Sequence, residues 1–313
     1  MHGGPCGSAR IFLAESTKTM VFFLQMVFAG LSVGAVYALI ALGLNLTFWT
    51  TRVLNFGQGS VLMIGAMLTA VLIGYGVNLL LAVLIALVAT CLVLIITEVV
   101  AIRPLLKAGG SMGWVVSTLG VGVFLQGLAS LVFGTQAVAF PDVLFSSSAT
   151  LQIFGAWVSV QYIAVFVICV VIVGLMELFL RRSTWGYGVR AVAHDRELAS
   201  LMGIPVRKVV LLSFAVSGLL AGVAGILVSQ ISGTVDPGFG LHLLILAFVA
   251  AVLGGMGSAV GALIAGLGLG VLEKLIAGYY SPAAAQTVAF VLLVAVLAMR
   301  PQGLLGKKEM VKV

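Results

Sequence analysis

The chain has 313 residues, 62% apolar and only 8% charged, with sixteen Lys or Arg against nine Asp or Glu for a net charge of +7. Water-solvated domains carry about a quarter charged residues, so a soluble globular body is excluded and most of the surface must face lipid. The positive balance does not point to nucleic acid, because the basic residues sit in short gaps between apolar runs instead of clustering with interleaved aromatics.

In chain order, residues 1–19 are polar and Gly-rich and read as a disordered N-terminal extension ahead of a membrane domain, 20–299. The apolar run 20–48 is too long for a signal-peptide core and reads as a retained first span. Further spans are expected near 54–74, 78–101, 112–134, 158–180, 209–231, 241–253 with 259–273, and 283–299. They are built on the charge-free runs 19–51, 53–97, 108–141, 143–176, 209–235, 237–272 and 275–299, each longer than the roughly 20 residues a helix needs to cross hydrocarbon. Their apolarity is uniform and lacks the alternation of a barrel strand. The expected fold is an all-α polytopic membrane protein of about eight transmembrane segments, with one or two broken or re-entrant helices.

Two stretches interrupt the pattern. Gly254-Gly255-Met256-Gly257-Ser258 separates two flanks too short to cross the bilayer alone at about 1.5 Å per residue. Asn55-Phe56-Gly57-Gln58-Gly59 resembles it weakly and is a second candidate break. Between spans, 135–157 holds Pro141, Asp142 and three consecutive serines and reads as an outside loop. The loop 181–208 has six basic and two acidic residues, and the tail 300–313 four basic and one acidic. Both are expected in the cytoplasm, with an even number of crossings between them. Arg10 and Lys18 point to an inside N-terminus, although three spans ahead of Arg103 would place it outside. Glycines four residues apart at Gly30/Gly34, Gly218/Gly222, Gly257/Gly261 and Gly266/Gly270 are expected to let helix backbones approach closely.

No catalytic apparatus is legible. His2, His194 and His242 are scattered, and neither a metal-ligating spacing, a nucleophile elbow nor a phosphate-cradling loop occurs. Neither an enzyme activity nor a metal or cofactor is expected. Glu98, Glu177 and Glu273 lie at span ends beside basic residues, where snorkelling accounts for them. Inside the spans the polar residues are uncharged: Asn45, Asn55, Gln58, Asn78, Gln126, Ser229 and Gln230. Proton- or voltage-driven machines keep ionisable groups at that depth. A pathway powered from elsewhere, or a passive pore, fits better.

Within the basic loop, Asp195 is a good N-cap, Gly203 a good residue just past a helix end, and Pro205 a stop. They enclose a short helix on which Leu198, Leu201 and Met202 form an i, i+3, i+4 stripe. Such a helix suits a partner's groove or the bilayer surface.

The loop resembles that of permeases of the branched-chain amino acid ABC importers: Arg190-Ala191-Val192-Ala193-His194-Asp195, then Leu198-Ala199, then Gly203-Ile204. Gly34 to Gly43, Leu54-Asn55-Phe56-Gly57-Gln58-Gly59 with Met63 to Ala66, Val252 to Ser258 with Gly261-Ala262, and Arg300 to Gly306 agree in order. The likeness runs from Met20 to Val313. Family members more often carry Ala-His where this chain has Gly57-Gln58.

The resemblance implies an inner-membrane, multi-pass permease of a prokaryote, with a cytoplasmic C-terminus and embedded in membrane lipid. It implies a second permease subunit, two ATP-binding subunits and an extracytoplasmic solute-binding protein as partners. Branched-chain amino acids or related small polar solutes would pass by Asn55, Gln58, Gly254, Gly255, Gly257 and Ser258, where an interrupted helix can receive a carboxylate. Arg190, Asp195, Leu198, Leu201, Met202 and Gly203 would couple the chain to the ATPases. The rival reading is a self-contained channel or facilitator for a small solute such as urea or an amide.

Overall fold

In lipid, a chain with no water to bond its backbone must pair those groups internally, and the long apolar runs accordingly form helices. The structure is a computed structural model that describes residues 6–108, 113–142, 149–153, 155–256 and 258–299. The helices are α1 (Cys6–Thr51), α2 (Gln58–Gly74), α3 (Leu79–Thr97), α4 (Arg103–Ala108), α5 (Gly113–Phe133), α6 (Val160–Arg182), α7 (Thr184–His194), α8 (Arg196–Leu201), α9 (Val206–Ser232), α10 (Phe239–Gly254), α11 (Ala259–Tyr279) and α12 (Pro282–Met299). A π-helical turn, Glu98–Ile102, joins α3 to α4. Among the described residues six helices are long and apolar enough to cross a membrane, while α2, α10 and α12 are shorter apolar helices.

Both expected interruptions are present. Residues 52–57 separate α1 from α2, and residues 255–258 separate α10 from α11. We call them break 1 and break 2. Gly257 and the tail 300–313 lie outside the described residues.

Residues 6–19 are helical and continuous with α1, in keeping with the good helix formers Ala9, Arg10, Leu13, Ala14, Glu15 and Lys18 and the lack of proline among them. The start of the first span also lies opposite the basic loop. Gln25 Nε2 of α1 donates to the Trp157 carbonyl at 3.0 Å, on the side of the 135–157 loop, whereas Arg52 beyond the far end of α1 meets Ala193 of α7. Three crossings before Arg103 override the weak charge signal of Arg10 and Lys18. The loop end also carries two small antiparallel ladders, β1 (Val138–Ala139) with β4 (Thr234–Val235) and β2 (Thr150–Ile153) with β3 (Ala156–Ser159).

Apolar side chains gain nothing by leaving lipid for one another, so close approach of backbones selects which helices sit inside. The glycines of the two four-residue pairs on α1 and α11 face each other. A Cβ on Gly34 would lie 2.5 Å from the Gly266 carbonyl oxygen, and one on Gly270 would lie 2.4 Å from Gly34 Cα. The pairs thus serve packing within the chain. Gly218 and Gly222 of α9 likewise dock on Thr90 and Cys91 of α3, and Gly240 of α10 on Gly59 of α2. Helices α1 and α9 are mostly enclosed, while α3 and α5 turn Leu80, Leu84, Val88, Val123, Phe124 and Leu131 outward.

Candidate functional site

Break 1 begins where α1 runs out at Thr51 and ends at the first turn of α2. Asn55, fully buried, builds the turn: its Oδ1 accepts from the Gly57 N–H at 3.0 Å, and its carbonyl accepts from the Gln58 N–H at 3.3 Å. Its Nδ2 has no hydrogen-bond partner among the described residues, and the same holds for Asn45 Nδ2 and Ser229 Oγ. Gln58, also fully buried, is committed at both ends. Its Nε2 donates to the Ile40 carbonyl at 3.3 Å, and its Oε1 lies 3.1 Å from the hydroxyl of Ser217, which is itself 2.9 Å from the Gly43 carbonyl. Gln58 therefore ties α1, α2 and α9 together. A Cβ on Gly43 would sit 2.5 Å from Gln58 Nε2, so the glycine makes room for the amide. On the far side Ser60 Oγ donates to the Gly122 carbonyl of α5 at 2.8 Å.

Break 2 is built from backbone. Gly255 adopts φ 89°, a conformation that favours glycine, and its N–H donates to the Val252 carbonyl at 3.1 Å. Ser258 caps α11, its Oγ accepting from the Gly261 N–H at 3.0 Å. Gly254 packs on Gly261 so closely that a Cβ would lie 2.4 Å from the Gly261 carbonyl. The two breaks meet: Trp49 Nε1 of α1 donates to the Met256 carbonyl, and the rings of Phe56 and Phe248 lie with centroids 6.0 Å apart. Asn55 and Gln58 thus lie at break 1 and Gly254, Gly255 and Ser258 at break 2, and the contacts between the two regions run through Trp49 with Met256 and Phe56 with Phe248.

In the basic loop the expected caps are in place. Asp195 Oδ1 accepts from the N–H groups of Glu197 at 2.8 Å and Leu198 at 3.0 Å. Gly203 ends α8 at φ 80°, the left-handed residue that commonly closes a helix. The stripe stands clear of the body: Leu198 is 56% exposed, Leu201 83% and Met202 84%, while Ala199 on the other face is buried. Arg190 is placed differently from its neighbours in the motif. It turns back onto α6, Nη1 donating to the Leu180 carbonyl at 2.5 Å, with its guanidinium 4.7 Å from the centre of the Tyr187 ring. It positions α7 against the end of α6.

The glutamates divide. Glu98 in the π-helical turn pairs with Arg103 at 2.5 Å, and Glu177 pairs with Arg181 at 2.6 Å. Glu273 instead accepts from the Tyr37 hydroxyl at 2.7 Å, joining α11 to α1. Burial lowers the Arg196 guanidinium below the ordinary arginine range, and the Glu98 carboxylate partly offsets this. Asn78 serves as the N-cap of α3. Sequence reasoning missed Ser217 and Arg52. One polar residue in an apolar run and one arginine at a span end carry no distinguishing local signal, and only the packing shows their partners.

With this geometry in hand, the family described as branched-chain amino acid transport system, permease component, matches residues 26–297. The chain is similar to the high-affinity branched-chain amino acid transport system permease protein LivH of Salmonella typhimurium, with 34% identity covering 95% of this chain and 100% of that one. It is similar to BraD of Pseudomonas aeruginosa, a protein of the same description, at 34% identity over 93% of this chain and 98% of the relative. Among solved structures, PsaBC from Streptococcus pneumoniae in complex with Fab shares the fold, with a TM-score of 0.50, 14% identity, and coverage of 90% of this chain and 92% of that one.

Proposed function

The chain belongs to the family of permease components of branched-chain amino acid transport systems, and we propose that it forms, with a second permease, the pathway of an ATP-driven importer for branched-chain amino acids or related small polar solutes. It is a multi-pass membrane protein and a permease subunit. Two ATP-binding subunits would dock on the exposed stripe of α8, and a solute-binding protein would deliver its load at the loop end. The side that carries 181–208 would then be cytoplasmic, together with the C-terminus. This chain hydrolyses nothing itself.

The observation that carries the reading is break 1. A helix interrupted inside a membrane domain leaves backbone N–H groups at the start of α2, and the Asn55 amide adds a buried donor that the turn does not use. Both attract an anionic or strongly dipolar group. A solute with a carboxylate could exchange its water for these donors as it passes. Gln58 contributes by holding the break in shape, since both ends of its amide are already engaged.

The test is uptake by membrane vesicles that contain the whole transporter. Asn55→Ala at unchanged membrane levels is expected to cut ATP-dependent uptake about tenfold or more, the scale of losing a hydrogen bond to a charged group. Unaltered uptake would remove Asn55 from the pathway. Rapid flux without nucleotide would favour a self-contained facilitator.

A further inference from the structure

Arg52 occupies a position where glycine is the usual residue. It follows the last turn of α1 with its N–H donating to the Phe48 carbonyl at 2.7 Å, and its φ of 59° is left-handed. Among the described residues no other non-glycine has a positive φ. L side chains avoid this region, so a helix end that needs it ordinarily takes glycine. What the arginine adds is its side chain. Nη2 reaches across to donate to the Ala193 carbonyl at 2.7 Å, and the guanidinium lies 6.0 Å from the centre of the Phe48 ring.

The acceptor matters as much as the donor. Ala193 belongs to the last turn of α7, where carbonyls lack helical partners and the helix dipole favours a cation. Two residues further on, Asp195 caps α8, which carries the exposed Leu198, Leu201 and Met202. Three residues beyond Arg52 in the other direction is Asn55. A single side chain thus bridges the loop that presents the apolar stripe and the break that holds the buried amide.

We propose that Arg52 is a positioning residue of the transport cycle, transmitting displacement of the α7–α8 segment to break 1. The proposal rests on the coupling of α8 to the ATP-binding subunits and adds the physical link by which that coupling would act. When α8 moves with a bound ATPase, the Ala193 carbonyl moves with the end of α7. Arg52 follows it, and its left-handed backbone is the point at which break 1 swings relative to α1. The backbone conformation alone does not provide this link, since glycine would supply it without a guanidinium.

The experiment measures solute moved per ATP hydrolysed by the complete transporter in liposomes, for the wild type, Arg52→Gly, Arg52→Lys and the Leu198→Asp, Leu201→Asp double variant. Glycine keeps the left-handed turn and removes the guanidinium, with its bridge to the Ala193 carbonyl and its contact with the Phe48 ring. Arg52→Gly is expected to retain ATP hydrolysis and thermal stability while moving about tenfold less solute per ATP, within the usual range for coupling between two sites. Arg52→Lys, which can still donate to the Ala193 carbonyl, is expected to recover part of the loss. An Arg52→Gly transporter with the wild-type ratio would overturn the proposal, as would a fall in uptake matched by an equal loss of folded protein. Undiminished ATP-driven uptake by the double variant would instead overturn the coupling reading itself, whatever the Arg52 variants do.

Discussion

The chain leaves α1 through a segment surrounded by side-chain hydrogen bonds, from Arg52 to α7, Asn55 to its own turn, Gln58 to α1 and α9, and Ser60 to α5. It leaves α10 through a segment closed by glycine backbone, with Gly254 against Gly261 and the cap of Ser258. The two breaks touch through Trp49 and Met256, yet they resist different things. Polar side chains can exchange partners as helices shift, so break 1 is suited to two arrangements. Backbone packed on backbone has no such freedom, so break 2 is suited to holding α10 and α11 at a fixed approach.

The largest effect should come from break 2. Gly254→Leu places a side chain where even a Cβ would meet the Gly261 carbonyl at 2.4 Å. A backbone has no rotamer with which to yield, so the cost should exceed the roughly 1–3 kcal/mol typical of overpacked cores. The expected outcome is loss of the folded protein from membranes, read as failure to recover a monodisperse peak in detergent. A well-folded Gly254→Leu protein would show that break 2 is as yielding as break 1.

A smaller effect is expected at break 1. Gln58→Ala removes the tie among three helices and leaves the Ile40 carbonyl without that donor. Stability should fall by about 1–3 kcal/mol, the range for a buried polar group that loses its partner, visible as a lower midpoint in thermal unfolding in detergent. Transport should weaken with it. Gln58→Ala with unchanged stability would mean that the amide serves the solute and not the frame, which would exchange the roles of Asn55 and Gln58.

Much of this fold was legible in the sequence for a simple reason: hydrocarbon admits few alternatives to a helix, so runs without charge delimit spans. The interruptions at 55–59 and 254–258 were legible because glycines cluster there beside Asn55 or Ser258, polar residues that turn or cap a backbone, instead of recurring at the four-residue spacing of helix-packing glycines. Asp195, Gly203 and Pro205 announced α8 through local capping chemistry, which needs no tertiary context. The roles of Gln58 and Arg190 were not legible. Whether an amide or a guanidinium faces a pathway, a partner or a neighbouring carbonyl depends on residues more than a hundred positions away for Gln58 and on how α7 folds back for Arg190. The side on which the first span begins also escaped, because two terminal charges weigh little against the count of crossings.

The central claim is that a pathway at break 1 is driven from outside the chain through the stripe on α8. It is tested most directly by solute uptake in sealed vesicles containing the whole transporter, with and without ATP, comparing the wild type with the Leu198→Asp, Leu201→Asp variant. The account predicts wild-type uptake that requires ATP and a double variant that inserts normally but loses ATP-driven uptake, since two carboxylates cannot enter an apolar groove without a large desolvation cost. Uptake that proceeds without ATP, or that survives both substitutions unchanged, would contradict it.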